Sequence, residues 1–276
     1  MASGIGFQAG IATGNLAWEC WTACIVAVST GISSLELIAL RSEFINGVYA
    51  EEIVRSRPRS WLFRRREELR CRIFRPDVIY TVVVGRLFAS IALIILGSLG
   101  HISGLVLVVL AVSGMFINYR NLIGGDGSDQ MSLLIVIALI PAVFFPNDRL
   151  VQVLCAWFIA LQSALSYLVA GIAKVASLQW RSGECLLPIL RTTAYGHPGV
   201  ALRLGTIEGI DRAISWATIV FEISFPLVLF APVPMVVCVL VLGVAFHGMN
   251  ALLMGLNCFF WAFVAAYPAI LFIRHV

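Results

Sequence analysis

Ionisable side chains inside apolar runs are the residues of this sequence that could do chemistry, and Lys174 is the first of them. It is the only lysine among nineteen basic residues, and it lies near the end of an apolar run that begins near Leu150. An ammonium group inside hydrocarbon is costly unless it is paired, neutralised or hydrated. A lysine kept away from water can give up its proton and act as a base. The alternative is that Lys174 lies near a helix end and extends its ammonium to the membrane surface.

Three further ionisable residues lie in the middle of apolar runs: Arg86, Glu222 and His247. Such residues usually face the interior of a helical bundle and mark functional sites. With Lys174 they supply a base, an acid, an imidazole and a guanidinium, a combination suited to proton abstraction in a dry pocket. In the simpler alternatives, Arg86 and Glu222 pair to hold two helices together, and His247 is an ordinary hydrogen-bonded histidine of the packed interior.

Helical spacing predicts which neighbours share a face with Lys174. Ser163, Tyr167, Ala170 and Lys174 are separated by four, three and four residues, so they form one stripe along a helix. Gly171, beside that stripe, would let another helix or a flat ring approach closely. The sequence therefore predicts an inward-facing stripe with a gap of small residues above the lysine.

A second polar face is predicted around His247. Asn250 follows it by three residues on the same helix face, and Met249 adds soft, adaptable packing nearby. Asn250 would in the simpler case join two helices by a hydrogen bond. Trp180 and Trp261 are typical of anchors at the membrane surface.

The composition indicates an all-α, polytopic integral membrane protein. The 276 residues are 60% hydrophobic and 12% charged, with a mean hydropathy of +0.95, which is more apolar than a soluble domain of this length needs. The cysteines form neither a C-x-x-C motif nor a zinc spacing, so we expect no metal site. They are Cys20, Cys24, Cys71, Cys155, Cys185, Cys238 and Cys258.

About eight membrane-spanning helices are predicted from the apolar runs. These runs are Thr22–Leu40, Val78–Leu99, Ser103–Ile117, Met131–Phe145, Leu150–Val175, Ala213–Ala231, Val233–Met254 and Cys258–Ile273. Residues 176–212 are too interrupted to span, which favours a re-entrant or interfacial element. We divide the chain into residues 1–77, with one span and an arginine-rich segment, and residues 78–276, a core of helices.

The arginine-rich segment from Arg41 to Asp77 contains ten arginines and six acidic residues. Paired charges at helical spacing predict a basic amphipathic helix. The positive-inside rule puts it in the cytoplasm and both termini outside, as in a multi-pass protein of the cell membrane, the inner membrane of a bacterium. The expected partner of this surface is anionic lipid rather than nucleic acid.

Five motifs occur in the order found in a known family. They are Arg86-Leu-Phe, Asn121 with Gly124-Gly125-Asp126, Tyr167 with Ala170-Gly171, Lys174, Trp180 and Gly183, Glu222 with Pro226, and Phe246-His247-Gly-Met249-Asn250. Over about residues 75–270 the sequence resembles the horizontally transferred transmembrane (HTTM) domain family, which includes the vitamin K-dependent gamma-carboxylases.

The resemblance implies that Lys174 is the base that deprotonates a quinol such as menaquinol or vitamin K hydroquinone. In the carboxylases the product reacts with O2 to give a strong base, which removes a glutamyl proton before CO2 adds. His247, Glu222 and Asn250 would then position or stabilise charge. Tyr167, Gly171, Trp180, Arg86 and Met249 would line the ring pocket.

The sequence also departs from the carboxylases. They carry two adjacent lysines where this chain has Ala173-Lys174, and the Gly-Gly-Asp turn is similar to that of bacterial members. Because the sequence ends at Val276, just after the last span, we expect a small or peptide substrate.

Two alternatives to an enzyme stay open. One is a non-enzymatic membrane partner, such as a maturation or immunity factor for a secreted peptide or a larger complex. The other is a small transporter, although no inverted repeat or broken helix pair is evident in the sequence.

Overall fold

The structure is a computed structural model that describes residues 17–42, 75–120, 127–192 and 196–276. Two compact units make up the chain, Met1–Pro146 and Asn147–Val276, and each is described by itself. The described residues form helices and connecting turns. They are α1 (Trp18–Ala39), α2 (Pro76–Ser98), α3 (Gly104–Arg120), α4 (Gly127–Phe144), α5 (Arg149–Ala176), α6 (Leu178–Ser182), α7 (Leu186–Leu190), α8 (Pro198–Leu204), α9 (Ile210–Ser224) with a 3₁₀ turn (Phe225–Leu229), α10 (Val233–Met254), α11 (Asn257–Val264) and α12 (Tyr267–Ile273).

In the first unit, α1 packs against both α2 and α4. The inward face of α1 carries small hydroxyl residues that pair across the helix boundaries. Thr30 lies 2.8 Å from Ser90 of α2, and Ser29 lies 3.0 Å from Ser132 of α4. Such side chains let helix backbones approach closely and satisfy one another by hydrogen bonds. The polar stripe of α1 therefore joins three helices of this unit.

In the second unit, α5 is the helix around which the others are arranged. It contacts α9, the 3₁₀ turn, α12 and α6. Its start is fixed by Asp148, whose carboxylate accepts hydrogen bonds from the backbone N–H groups of Leu150 and Val151 at 2.9 and 3.2 Å. A carboxylate at this position satisfies amide groups that have no partner within the helix. The long, capped α5 thus provides a fixed axis for the residues of its buried face.

The segment predicted to be re-entrant or interfacial contains the short helices α6, α7 and α8. Between α6 and α7, Gly183 adopts a left-handed backbone conformation with φ 79°, and a side chain there would meet the backbone of Arg212. Asp211, at the start of α9, accepts hydrogen bonds from the N–H groups of Leu186 and Leu187 at 3.1 and 3.2 Å. These contacts tie the short helices to the start of α9.

The structure supports the span prediction in part. Among the described residues, six helices are long and apolar enough to cross a membrane, and Gly104–Arg120 and Asn257–Ile273 are shorter apolar stretches at two of the other predicted spans. The last of these is interrupted at residues 265–266, just before Pro268, which has no N–H group to continue the helix. Described residues therefore show an interrupted apolar helix that the sequence pattern did not indicate.

Several predictions concern residues that the structure does not describe. The proposed basic amphipathic helix lies mainly in residues 43–74, and the Asn121 to Asp126 motif lies in residues 121–126; both are outside the described ranges. The division at residue 77 follows a change in composition and stays a prediction. Along the chain, the boundary between the two compact units falls between residues 146 and 147.

Candidate functional site

Lys174 and Glu222 form a close ion pair between α5 and α9. The Nζ atom of Lys174 donates to both carboxylate oxygens of Glu222, at 2.8 and 2.7 Å. The Glu222 side chain is 6% exposed and that of Lys174 is 19% exposed. Glu222 directs both carboxylate oxygens to Lys174. The partly exposed Lys174 side chain therefore contacts a carboxylate between α5 and α9.

Gly171 allows this pair to form. A Cβ atom at Gly171 would lie 2.7 Å from Cγ1 and 3.0 Å from the backbone nitrogen of Ile223, and 3.2 Å from Cβ of Glu222. A Cβ contact under 3.0 Å is essentially never found in proteins, and the other two distances are tighter than most. The absence of a side chain thus lets α9 approach α5 one turn before Lys174, which brings the carboxylate within reach of the ammonium. Gly171 lies at the helix contact that the sequence indicated, here occupied by another helix.

Trp180 completes the surroundings of the ammonium. Its ring centroid lies 5.1 Å from the Lys174 Nζ atom, within the range in which an aromatic face attracts a cation. The helix that carries it, α6, begins two residues after α5 ends. Nearby, burial and the charge of Asp211 raise the pKa of the Cys185 thiol, while the positive charge of Lys174 opposes them. Trp180 therefore contacts the site rather than serving only as a surface anchor.

A second polar centre joins α5, α10 and α12. The hydroxyl of Tyr167 lies 2.6 Å from Nε2 of His247 and 3.2 Å from the hydroxyl of Tyr267. All three side chains are at most 5% exposed. The other ring nitrogen of His247, Nδ1, has no hydrogen-bond partner among the described residues. An unpaired buried polar group of this kind costs about 1–3 kcal/mol, so this imidazole is only half satisfied.

Aromatic rings enclose this centre. Tyr167 stacks on Phe225 with ring centroids 3.8 Å apart and meets the edge of Phe221 at 5.7 Å. His247 stacks on Phe263 at 4.7 Å. Such packing excludes water and strengthens every electrostatic interaction inside it. The phenol of Tyr167 and the imidazole of His247 are therefore enclosed by aromatic side chains.

The two polar centres share one face of α5. Tyr167 and Lys174 are seven residues apart, two helical turns, which places them about 10 Å apart along the axis. Residues of α9 and its 3₁₀ turn contact both centres, with Glu222 at one and Phe221 and Phe225 at the other. The imidazole was expected beside the amine. Instead the amine contacts a carboxylate and the imidazole contacts a phenol.

Other predicted site residues lie apart from these contacts. Asn250 is half-buried on α10, one turn beyond His247, and Met249 is 52% exposed on another face of that helix. Arg86 belongs to the first unit, where its guanidinium donates to Ser33 at 3.4 Å. Among the described residues, no three His, Cys, Asp or Glu side chains form a group that could hold a metal ion.

Tyr267 was missed by the sequence reasoning. It is 5% exposed, and its hydroxyl lies so close to Gly243 of α10 that a side chain at that position would collide with it. A tyrosine inside an apolar span, directly before a proline, was the available signal, because a buried tyrosine hydroxyl usually has a hydrogen-bond partner. The sequence alone does not show that this partner is Tyr167.

The protein has several apolar helices long enough to cross a bilayer. Between these helices lie an ion pair and a phenol–imidazole pair. It is therefore a multi-pass helical membrane protein. Residues 142–275 match the sequence profile of the HTTM domain family, so this part of the chain is an HTTM domain and the resemblance is confirmed there. The match covers the second unit and includes both polar centres. Searches of curated proteins and of solved structures give no match.

Proposed function

We propose that the second unit is the catalytic part of a membrane enzyme that uses a lipid-soluble quinol for base-driven chemistry on a small or peptide substrate. The observation that carries the proposal is the Lys174–Glu222 pair, whose carboxylate is buried, on the same face of α5 as the Tyr167–His247 pair. Paired titratable groups in an apolar interior are typical of sites that move protons.

The base of this site is the Lys174–Glu222 pair rather than a free amine. In the resting state the carboxylate neutralises the ammonium. When the pair accepts one proton, Glu222 becomes neutral and the positive charge of Lys174 is no longer compensated. An uncompensated ammonium in a dry site stabilises negative charge that develops beside it. The pair can therefore remove a proton and stabilise the anion that remains, without a separate counter-ion.

Aromatic side chains beside both polar centres support a quinol as the ligand. Trp180 lies at the ammonium, and Phe225 stacks on Tyr167; aromatic surroundings suit a fused ring. His247 retains one unpaired ring nitrogen for an oxygen atom. When bound, a quinol would supply the reducing equivalents and the acidic hydroxyl of the reaction. The protein would bind and orient it, exclude water and hold the proton at the Lys174–Glu222 pair.

Carboxylation is the most specific form of the proposal, and oxidation of the quinol without carboxylation is the broader form. Support for the specific form comes from the HTTM domain and from the carboxylase-like order of the motifs at Lys174 and His247. We further propose that the protein lies in the cell membrane and that menaquinol is the quinol. A secreted peptide is the proposed substrate class.

The direct experiment measures menaquinol oxidation by the purified protein in lipid nanodiscs, with O2 and bicarbonate present. The wild type is expected to oxidise menaquinol, and Lys174→Ala is expected to lose this activity. Arg203→Ala removes an exposed cation from α8 and is the matched control; it should retain wild-type activity. Equal activity of the wild type and Lys174→Ala would remove the catalytic role of the lysine.

A non-enzymatic partner protein is the second candidate, and the ion pair itself favours it, because a neutralised Lys–Glu pair can also serve only to hold α5 against α9. Under that candidate the wild type oxidises no quinol. A Lys174→Glu/Glu222→Lys exchange, which keeps a pair between the same helices, would then retain partner binding.

A further inference from the structure

Three side chains form a hydrogen-bonded series: Tyr267 contacts Tyr167, and Tyr167 contacts His247. Its hydroxyl lies 3.2 Å from the hydroxyl of Tyr167, which in turn lies 2.6 Å from Nε2 of His247. Because Tyr167 has only one hydroxyl hydrogen, it can donate to just one of these two partners. The direction of the hydrogen bonds decides which ring nitrogen of His247 carries a proton.

The shorter of the two distances favours one direction. Hydrogen bonds donated by hydroxyl groups are shorter than those donated by ring or backbone N–H groups, which are most often about 2.9–3.0 Å long. The 2.6 Å separation therefore fits a Tyr167 hydroxyl that donates to a bare Nε2. Since the Tyr167 hydrogen is then used, Tyr267 must donate to the Tyr167 oxygen. The Tyr267 hydroxyl is confined by the close approach of Gly243.

A neutral imidazole with a bare Nε2 carries its hydrogen on Nδ1. That nitrogen is buried, and no described residue accepts a hydrogen bond from it. The stacked ring of Phe263 fixes the plane of the imidazole. His247 therefore presents one N–H donor, on Nδ1, in a fixed orientation among aromatic side chains. An acceptor oxygen of a bound molecule would satisfy this donor.

We propose that Tyr267 is a positioning residue which, through Tyr167, holds His247 as the tautomer with hydrogen on Nδ1, and that this N–H binds an acceptor oxygen of the ligand, a carbonyl or phenolate. The tautomer assignment stands on the hydrogen-bond geometry alone. The ligand assignment rests on the proposed function.

The experiment is nitrogen NMR of the full chain in nanodiscs with ¹⁵N-labelled histidine, where His247→Gln assigns the His247 signals. The wild type is expected to show a protonated Nδ1 and a bare, hydrogen-bonded Nε2. Tyr167→Phe should convert most of His247 to the other tautomer. Tyr267→Phe should give a mixture of the two, since Tyr167 is then free to turn its hydrogen away. Tyr80→Phe, an exposed tyrosine of the first unit, should leave the spectrum unchanged.

A wild-type proton on Nε2, or an unchanged spectrum in Tyr267→Phe, would overturn the positioning role, whether or not the protein oxidises quinol. The ligand part is tested by adding 2-methyl-1,4-naphthoquinone to the same samples. The Nδ1 signal of the wild type should shift on addition, and that shift should weaken in Tyr267→Phe. No shift in a wild type that has the expected tautomer would overturn the ligand assignment alone.

Discussion

The two units of the chain place polar groups in apolar helices in different ways. The first unit uses short hydroxyl side chains that pair between helices, as Thr30 does with Ser90. Arg86 also takes part, because it donates to Ser33 and Ser33 donates to Asp129 at 3.1 Å. The second unit uses a lysine, a glutamate, a histidine and two tyrosines, all of which can gain or lose a proton.

The difference indicates which unit holds helices together and which could do chemistry. A serine or threonine hydroxyl keeps its proton at any ordinary pH, so the hydroxyl pairs Thr30–Ser90 and Ser29–Ser132 can only join helices. The second unit contains a proton-exchanging pair and an imidazole with one unpaired ring nitrogen. Three measurements on substituted proteins would break or sharpen this comparison.

The largest effect is expected from breaking the ion pair of the second unit. Lys174→Met leaves the Glu222 carboxylate uncompensated between helices, and loss of one partner of a buried pair destabilises by about 3–5 kcal/mol. Thermal unfolding in detergent should show this as a clear fall in the melting temperature.

The matched control removes both charges. Lys174→Met/Glu222→Leu should regain most of the lost stability, because replacement of a whole buried pair by apolar side chains is often neutral or stabilising. If the double variant were as unstable as Lys174→Met, the charge left behind would not be the cause of the loss.

A smaller effect is expected at the helix contact of the second unit. Gly171→Ala would put a Cβ atom 3.0 Å from the backbone nitrogen of Ile223, which forces α9 away from α5. Overpacking of this kind costs about 1–3 kcal/mol. Gly85→Ala on α2 is the control, since nothing lies within 4 Å of its added Cβ. A loss of stability in Gly85→Ala equal to that in Gly171→Ala would argue against a specific contact.

The smallest effect is expected in the first unit. Ser90→Ala removes the hydrogen bond with Thr30, and hydrogen bonds between membrane helices contribute about 0.6 kcal/mol on average. Each hydroxyl also lies within hydrogen-bond distance of a backbone carbonyl oxygen of its own helix, at 3.1 Å for Thr30 and 2.9 Å for Ser90. Thr30 therefore keeps a hydrogen-bond partner when Ser90 is replaced. The melting temperature should fall slightly and quinol oxidation should not change; a large loss of activity would contradict the division between the units.

Much of this arrangement could be predicted from the sequence, because apolar runs and helical spacing are local properties. The span Val233–Met254 has the predicted bounds. Of the predicted stripe of Ser163, Tyr167, Ala170 and Lys174, Ser163 and Tyr167 are buried, and Gly171 beside the stripe is buried too. Spacing also indicated that Gly171 would permit a close approach.

Partners between distant helices could not be predicted in the same way. The sequence did not indicate the contact between Lys174 and Glu222, because it depends on the packing of α5 against α9. The hydrogen bond between Tyr167 and Tyr267 joins residues 100 positions apart, and no local pattern contains that information.

The central claim is that the Lys174–Glu222 pair does chemistry beyond holding two helices together. The most direct measurement compares menaquinol oxidation by the wild type and by Lys174→Met/Glu222→Leu in the same nanodiscs, after equal melting temperatures show that both are folded. Loss of acid–base catalysis should lower the rate by about 10²–10⁴-fold. A folded double variant that oxidises menaquinol as fast as the wild type would contradict the account.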